Sequence, residues 1–295
     1  MASVLSENLT TSRTCRLSNA TPLRLRELTA QNLAALDRVL SFLDREDIRL
    51  YRISSNLIPF ASHPINTVKW WTEFAADFRH LGSRIRRLGV RVSMHPGQYT
   101  VLNSLSPAIV SAAFAELKYQ ARLLDALGTG RGSKIVIHVG GLYGGTESDA
   151  IARFIERAQR LPKGVLERLV IENDDRLFDA DEVLTVHRAL GIPVVFDWLH
   201  HQANPCARPV ADVLNDIFNT WTAADGRPKI HMSSQAAGGP PGAHANDVAV
   251  ADVLAFLRVA PQKPFDCMLE AKEKDRALLR LRKALRRRGV CESRT

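Results

Sequence analysis

Short, almost wholly apolar runs recur along this chain, each separated from the next by a longer segment with helical periodicity. The runs are IRLYRIS, VRVSMHP, KIVIHVG, RLVIEND, PVVFDW, PKIHMS and PFDCMLEAK. A strand that is apolar at both parities buries both faces, so it needs helices on either side, which is the signature of a parallel sheet built from βα units. The intervening PAIVSAAFAELKYQARLLDALG opens near Pro107 and closes at Gly128, with proline and glycine where helix chemistry places them. At 295 residues, such an alternation fits one (β/α)8 TIM barrel over residues 1–295. MASVLS at the start is expected to be the eighth strand. A doubly wound open sheet is the alternative, but no GxGxxG turn follows an early strand.

Six of these runs end in a metal-type side chain: His95, His138, Glu172, Asp197, His231 and Glu270. In a barrel all C-terminal strand ends converge on one mouth, so these groups meet around one cavity. His200, three residues past Asp197, and His244, in the loop GGPPGAHAND, belong to the same rim. A single histidine at a strand end is usually a satisfied polar residue. Three carboxylates and five histidines in register with separate strands are not so explained, because carboxylates sharing a cavity repel and call for cations. Imidazole with carboxylate is the ligand set of Zn2+, Mn2+ and Fe2+. Eight candidates exceed the roughly three or four protein ligands of one catalytic ion, so two or three ions are expected. His63, His80, His187 and His201 fall outside the pattern.

Lys229, two residues before His231, should share that histidine's face of the strand. It could bind a phosphate, act as a neutral amine if desolvated, or serve as a carbamylated ligand; strand twist turning it to solvent is the bland alternative.

Lys and Arg number 40 against 31 Asp and Glu, a net charge of +9, which favours a polyanionic partner such as nucleic acid or an anionic membrane surface. RALLRLRKALRRRG, with Leu278, Leu281 and Leu285 at helical spacing, reads as a solvated last helix. The cysteines Cys15, Cys206, Cys267 and Cys291 form no CxxC pair, consistent with a reducing compartment. No run approaches the roughly 18 apolar residues of a membrane span, and the N-terminus lacks the apolar core of a signal peptide, so a cytoplasmic protein without an obligate protein partner is expected.

The stretches RTCRL, IRLYRISSNLIPFASH, SMHPGQYTVLNS, IVIHVGG, IENDD, FDWLHH, KIHMSSQ, GGPPGAHA and MLEAKEKD together resemble the UV damage endonucleases, relatives of endonuclease IV and the xylose isomerase-like barrels. The resemblance implies an enzyme that cuts duplex DNA immediately 5′ to a UV photoproduct, a pyrimidine dimer or a 6-4 photoproduct, leaving a 3′-hydroxyl and a 5′-phosphate. It implies Mn2+ as the preferred ion, with Zn2+, Co2+ and Mg2+ as alternatives. By similarity, one ion takes His95, His138 and Glu172; Glu172 bridges to a second held by Asp197, His231 and Glu270; a third uses His200 and His244. Catalysis would rest on Glu172, Lys229 and Glu270. Gln98 and Tyr99 would probe the duplex, with Asn8 and Arg52 as further DNA contacts on the mouth. A Gly-Tyr pair that usually begins the family's first strand has no counterpart in MASVLSENL. The rival functions are an apurinic-site endonuclease of the endonuclease IV type, a sugar isomerase on the same barrel, which the basic charge disfavours, and a DNA-binding scaffold without catalysis.

Overall fold

The apolar runs form the strands of a computed structural model that describes residues 3–290. The strands are β1 (Ser3–Val4), β2 (Leu9–Thr10), β3 (Leu50–Ile53), β4 (Arg91–Met94), β5 (Lys134–Ile137), β6 (Leu169–Glu172), β7 (Val194–Asp197), β8 (Lys229–Met232) and β9 (Asp266–Leu269). The helices are α1 (Pro22–Arg45), α2 (Trp70–Glu73), α3 (Ala75–Arg87), α4 (Pro107–Ala126), α5 (Glu147–Ala158), α6 (Lys163–Leu166), α7 (Ala180–Leu190), α8 (Trp198–Ala203), α9 (Val210–Asn219), α10 (Val250–Val259) and α11 (Lys274–Arg286). Strands β3 to β9 pair in sequence order, all parallel, as a nearly closed seven-stranded sheet wrapped by helices. This is a TIM-barrel-like fold. Among the described residues, no helix is long and apolar enough to cross a membrane.

The helix boundaries follow local chemistry. Thr21 caps α1 by accepting from Arg24 N at 3.2 Å, and α7 starts with a capping box in which Asp179 and Glu182 satisfy each other's backbone N–H. Helix α4 runs from Pro107, and Gly128 follows it in the left-handed conformation at φ 59°. Leu36 and Leu40 of α1, Phe78 of α3 and Phe154 of α5 are fully buried between helices and sheet, each contributing about 1.5 to 3 kcal/mol of apolar burial.

The N-terminal segment does not supply an eighth strand. Met1 and Ala2 lie outside the described residues, and Ser3–Val4 pairs antiparallel with Leu9–Thr10. Asn8, at φ 52°, reverses the chain. The buried carboxylate of Asp275 on α11 accepts from Leu5 N at 2.6 Å and Ser6 N at 3.0 Å, fixing this tight hairpin against α11. A local hairpin therefore replaces the expected pairing with the sheet. Strands β3 and β9 are left as the two edges of a seam that no ladder closes. Arg52 of β3 crosses it to ion-pair with Glu270.

Strand parity divides the barrel interior into layers. Beneath the strand tips, Val136, Val170 and Val195 form a small buried cluster with Trp221. The far end is polar: Lys134 Nζ donates to Asp225 Oδ1 at 2.6 Å and Glu167 O at 2.8 Å. Arg91 pairs with Asp266 at 2.7 Å and lies 5.2 Å from the Trp221 ring centroid. The barrel is thus plugged below by its own side chains.

Candidate metal centre

Each expected ligand stands where its strand ends. Glu172 and Asp197 are the last residues of β6 and β7; His95, His138 and Glu270 follow β4, β5 and β9 directly; His231 is the third residue of β8. Their donor atoms fall into three overlapping groups: His95, His138 and Glu172; Glu172, Asp197 and His200; Asp197, His231 and Glu270. Within each, all donors lie within 4.8 Å of one another. Glu172 is common to the first two groups and Asp197 to the last two.

Glu172 is the hub. Its Oε1 accepts from His231 Nδ1 at 2.5 Å, and its Oε2 lies 3.3 Å from both His95 Nε2 and His138 Nε2. His95 Nδ1 donates to the carbonyl of Pro96 at 3.1 Å, which directs Nε2 at the carboxylate. Donors sharing one ion at about 2.1 Å are themselves separated by roughly 3.0 to 3.5 Å, which is the spacing of these atoms. Glu172 Oε2 and Asp197 Oδ2 are buried with no hydrogen-bond partner among the described residues. The residues therefore fit divalent cations, and these clusters could hold them.

Asp197 also caps α8, accepting from His200 N at 2.8 Å. His200 Nδ1 donates to the carbonyl of Asn173 at 2.9 Å, which leaves its Nε2 free for a ligand. In the metal-free protein, burial reinforced by the charges of Glu172 and Glu270 pushes Asp197 up to about 8. Burial alone would lower His200, but the neighbouring carboxylates of Asp197 and Glu172 outweigh it and raise the ring to about 9. Burial would likewise raise Glu172, yet the imidazoles of His231 and His138 hold its carboxyl well below the usual range.

His244 stands apart from the three groups. Its Nδ1 is 3.9 Å from Glu270 Oε2 and its ring centroid 6.3 Å from that of His200, so it faces the cluster from beside His200, whose nearest donors are Glu172 and Asp197. Lys229 is fully buried, and among the described residues its Nζ has no hydrogen-bond partner. Desolvation, reinforced by Arg91 and Arg52, pulls its amine well below the ordinary lysine range; the alternative of a solvent-facing lysine is excluded. His201 is buried against the rings of Phe196 and Trp198.

Gln98 and Tyr99 occupy the centre of an exposed turn closed by Thr100 N on Gly97 O at 2.9 Å, just past His95. Tyr99 is 82% exposed. Arg52 lies lower, its Nη2 2.9 Å from His231 Nε2, inside the cluster rather than on the rim. Asn8 is exposed at the hairpin turn, and among the described residues no side-chain contact joins it to the cluster. Sequence reading missed Asn173, whose side chain accepts from Asp197 N at 2.8 Å and donates to Asp197 O at 3.1 Å, locking the tips of β6 and β7 together. Its place beside Glu172 in IENDD is the only signal.

A model of the UV-endonuclease UvdE family matches residues 2–293. The chain belongs to that family. As a UvdE member it is 37% identical, over 260 residues, to the UV DNA damage endonuclease of Bacillus cereus (strain G9842), an alignment covering 88% of this chain and 82% of the relative. The crystal structure of SacUVDE superposes with a TM-score of 0.91 at 36% identity, covering 98% of both chains. Endonuclease IV from Thermus thermophilus shares the barrel alone, with a TM-score of 0.59 at 16% identity over 85% of this UvdE chain and 94% of that one.

Proposed function

We propose that this protein is a metal-dependent endonuclease that cuts duplex DNA at UV photoproducts, hydrolysing the phosphodiester immediately 5′ to the lesion and leaving a 3′-hydroxyl and a 5′-phosphate. Besides family membership, one observation carries the reading: three donor groups that share Glu172 and Asp197 lie at the C-terminal ends of the strands, and the exposed Gln98–Tyr99 turn begins within three residues of His95. Two or three divalent ions held there, with Mn2+ as the expected occupant, would supply an activated water and charge stabilisation on the leaving oxygen.

The chain's own residues then divide the work. Glu172 and Asp197 hold neighbouring donor groups in register. Asn173 fixes the His200 tautomer. Lys229, desolvated beneath His231, supplies either a neutral amine or, after carbamylation by CO2, a carboxylate. The net charge of +9 favours the DNA polyanion. Gln98 and Tyr99 enter the duplex where damage has weakened stacking, since a lesion lowers the cost of extruding a nucleotide.

The test is nicking of UV-irradiated and abasic duplexes with Mn2+ and with chelator, the ends being mapped on a sequencing gel. Cleavage of the irradiated duplex one phosphate 5′ to the lesion, abolished by chelator, is expected. An irradiated duplex left intact would sink the reading, and cutting confined to abasic sites would assign the endonuclease IV type of activity instead.

A further inference from the structure

The mouth carries a second exposed aromatic residue that the metal centre does not use. Tyr143 lies five residues past His138 in the loop HVGGLYGG and is 44% exposed. Its φ of 57° is left-handed, a conformation that a bulky residue adopts only when its surroundings impose it. Gly140, Gly141, Gly144 and Gly145 flank it, yet this position carries an aromatic ring.

The loop is braced so as to present that ring. Leu142 O accepts from Arg153 Nη2 at 2.9 Å and from Gly145 N at 3.1 Å. A Cβ at position 141 would lie 3.3 Å from the Tyr143 ring, so the ring folds over Gly141. Gly141 O accepts from Asn103 Nδ2 at 2.9 Å. A Cβ at position 140 would meet Asn103 Oδ1 at 2.3 Å and Val101 Cγ1 at 2.6 Å. Val101 and Asn103 belong to the loop that carries Tyr99, and Arg157 of α5 also holds that loop, through Leu102 O at 2.8 Å. Two exposed aromatic side chains therefore stand on adjacent, mutually braced mouth loops.

We propose that Tyr143 is a nucleobase-stacking residue, a second aromatic platform that takes an unstacked base beside the lesion. This rests on the reading that the mouth binds damaged duplex. Aromatic faces stack on any base, so a second platform adds affinity for distorted DNA without adding sequence preference.

The test compares the full wild-type chain with Tyr143→Gly and Tyr143→Trp, in chelator so that strands stay uncut, by fluorescence polarisation on undamaged, UV-irradiated and abasic duplexes. Thermal melting of each protein runs in parallel. Tyr143→Gly should weaken binding to the irradiated duplex about tenfold and leave the melting temperature unchanged or higher, since glycine accepts the left-handed φ. Tyr143→Trp should restore affinity. If Tyr143→Gly binds like wild type, or if its affinity and melting temperature fall together with no rescue by tryptophan, the stacking role is overturned and Tyr143 is a packing residue. If wild type itself shows no preference for either damaged duplex, the functional reading fails and the stacking role with it.

Discussion

Arg52 and His231 meet at the barrel seam, with Arg52 Nη2 2.9 Å from His231 Nε2. A guanidinium only donates, so Nε2 is the acceptor and the ring proton resides on Nδ1, directed at Glu172. Burial would raise Glu270, but Arg52, together with His231, holds its carboxyl at about 2. Arg52 is thus the resident cation of a site suited to divalent ions. Arg52→Met should destabilise the metal-free protein by about 2 kcal/mol, because it leaves Glu270 without its partner. Added Mn2+ should then raise the melting temperature more in the variant than in wild type. Equal metal-induced shifts would show that the guanidinium does not compete with the ion.

Glu172→Gln keeps the volume of the hub and removes its charge. Because Glu172 belongs to two of the three donor groups, the variant should bind fewer ions per chain by elemental analysis. Nicking should fall by at least about a hundredfold, while affinity for DNA stays within a few-fold of wild type. Unchanged metal content would remove Glu172 from its bridging position.

Lys229→Met exchanges a buried amine without a partner for an apolar chain of similar length. An unsatisfied buried polar group costs about 1 to 3 kcal/mol, so the variant should melt higher. If the amine or its carbamate works at the site, turnover should drop all the same. A variant that gains stability and keeps full activity would assign Lys229 to the interior packing alone.

At the plugged end, Lys134→Met removes the ammonium that donates to Asp225 at 2.6 Å, leaving Thr222 and the more distant Arg131. The wild-type Asp225 carboxyl would be raised by burial, but hydrogen bonds from Lys134 and Thr222 hold it below its ordinary value. Its stabilising contribution is therefore complete above the unfolded pKa of about 3.9 and is lost as pH falls through the lower folded value. In the absence of the ammonium, the burial that raises the carboxyl is opposed by Thr222 and Arg131, so the folded pKa rises and the stability that Asp225 contributes at neutral pH falls. Denaturant melts at several pH values would show a loss of about 3 to 5 kcal/mol at neutral pH, shrinking on acidification. A pH-independent loss would mean that Asp225 was never strained by burial.

The donor set was legible because strand parity dictates where side chains point. His95, His138, Glu172, Asp197, His231 and Glu270 each end an apolar run, and parallel strands carry such ends to one mouth. Distances were not legible. How close His200 comes to His244 depends on the path of the loop after β8, where Gln235 bonds to Pro240 O at 2.9 Å and Gly242 N at 3.0 Å, and on Asn173, whose backbone carbonyl orients the His200 ring. The N-terminal hairpin was hidden for a similar reason: MASVLS is apolar enough for a strand, but its pairing is decided by Asp275, some 270 residues away.

The unladdered seam between β3 and β9 gives the barrel a weakest line, and that line passes beside the donor cluster, since the Arg52–Glu270 ion pair is one of the side-chain contacts that span it, with Arg91–Asp266 at the far end. Warming should part the barrel there before its helices come away. Glu270 would then drift from Asp197 and His231 while the secondary structure is still intact. Heat inactivation should accordingly precede the loss of helical signal, and an ion that ties Glu270 to Asp197 would act as a clasp for the whole fold.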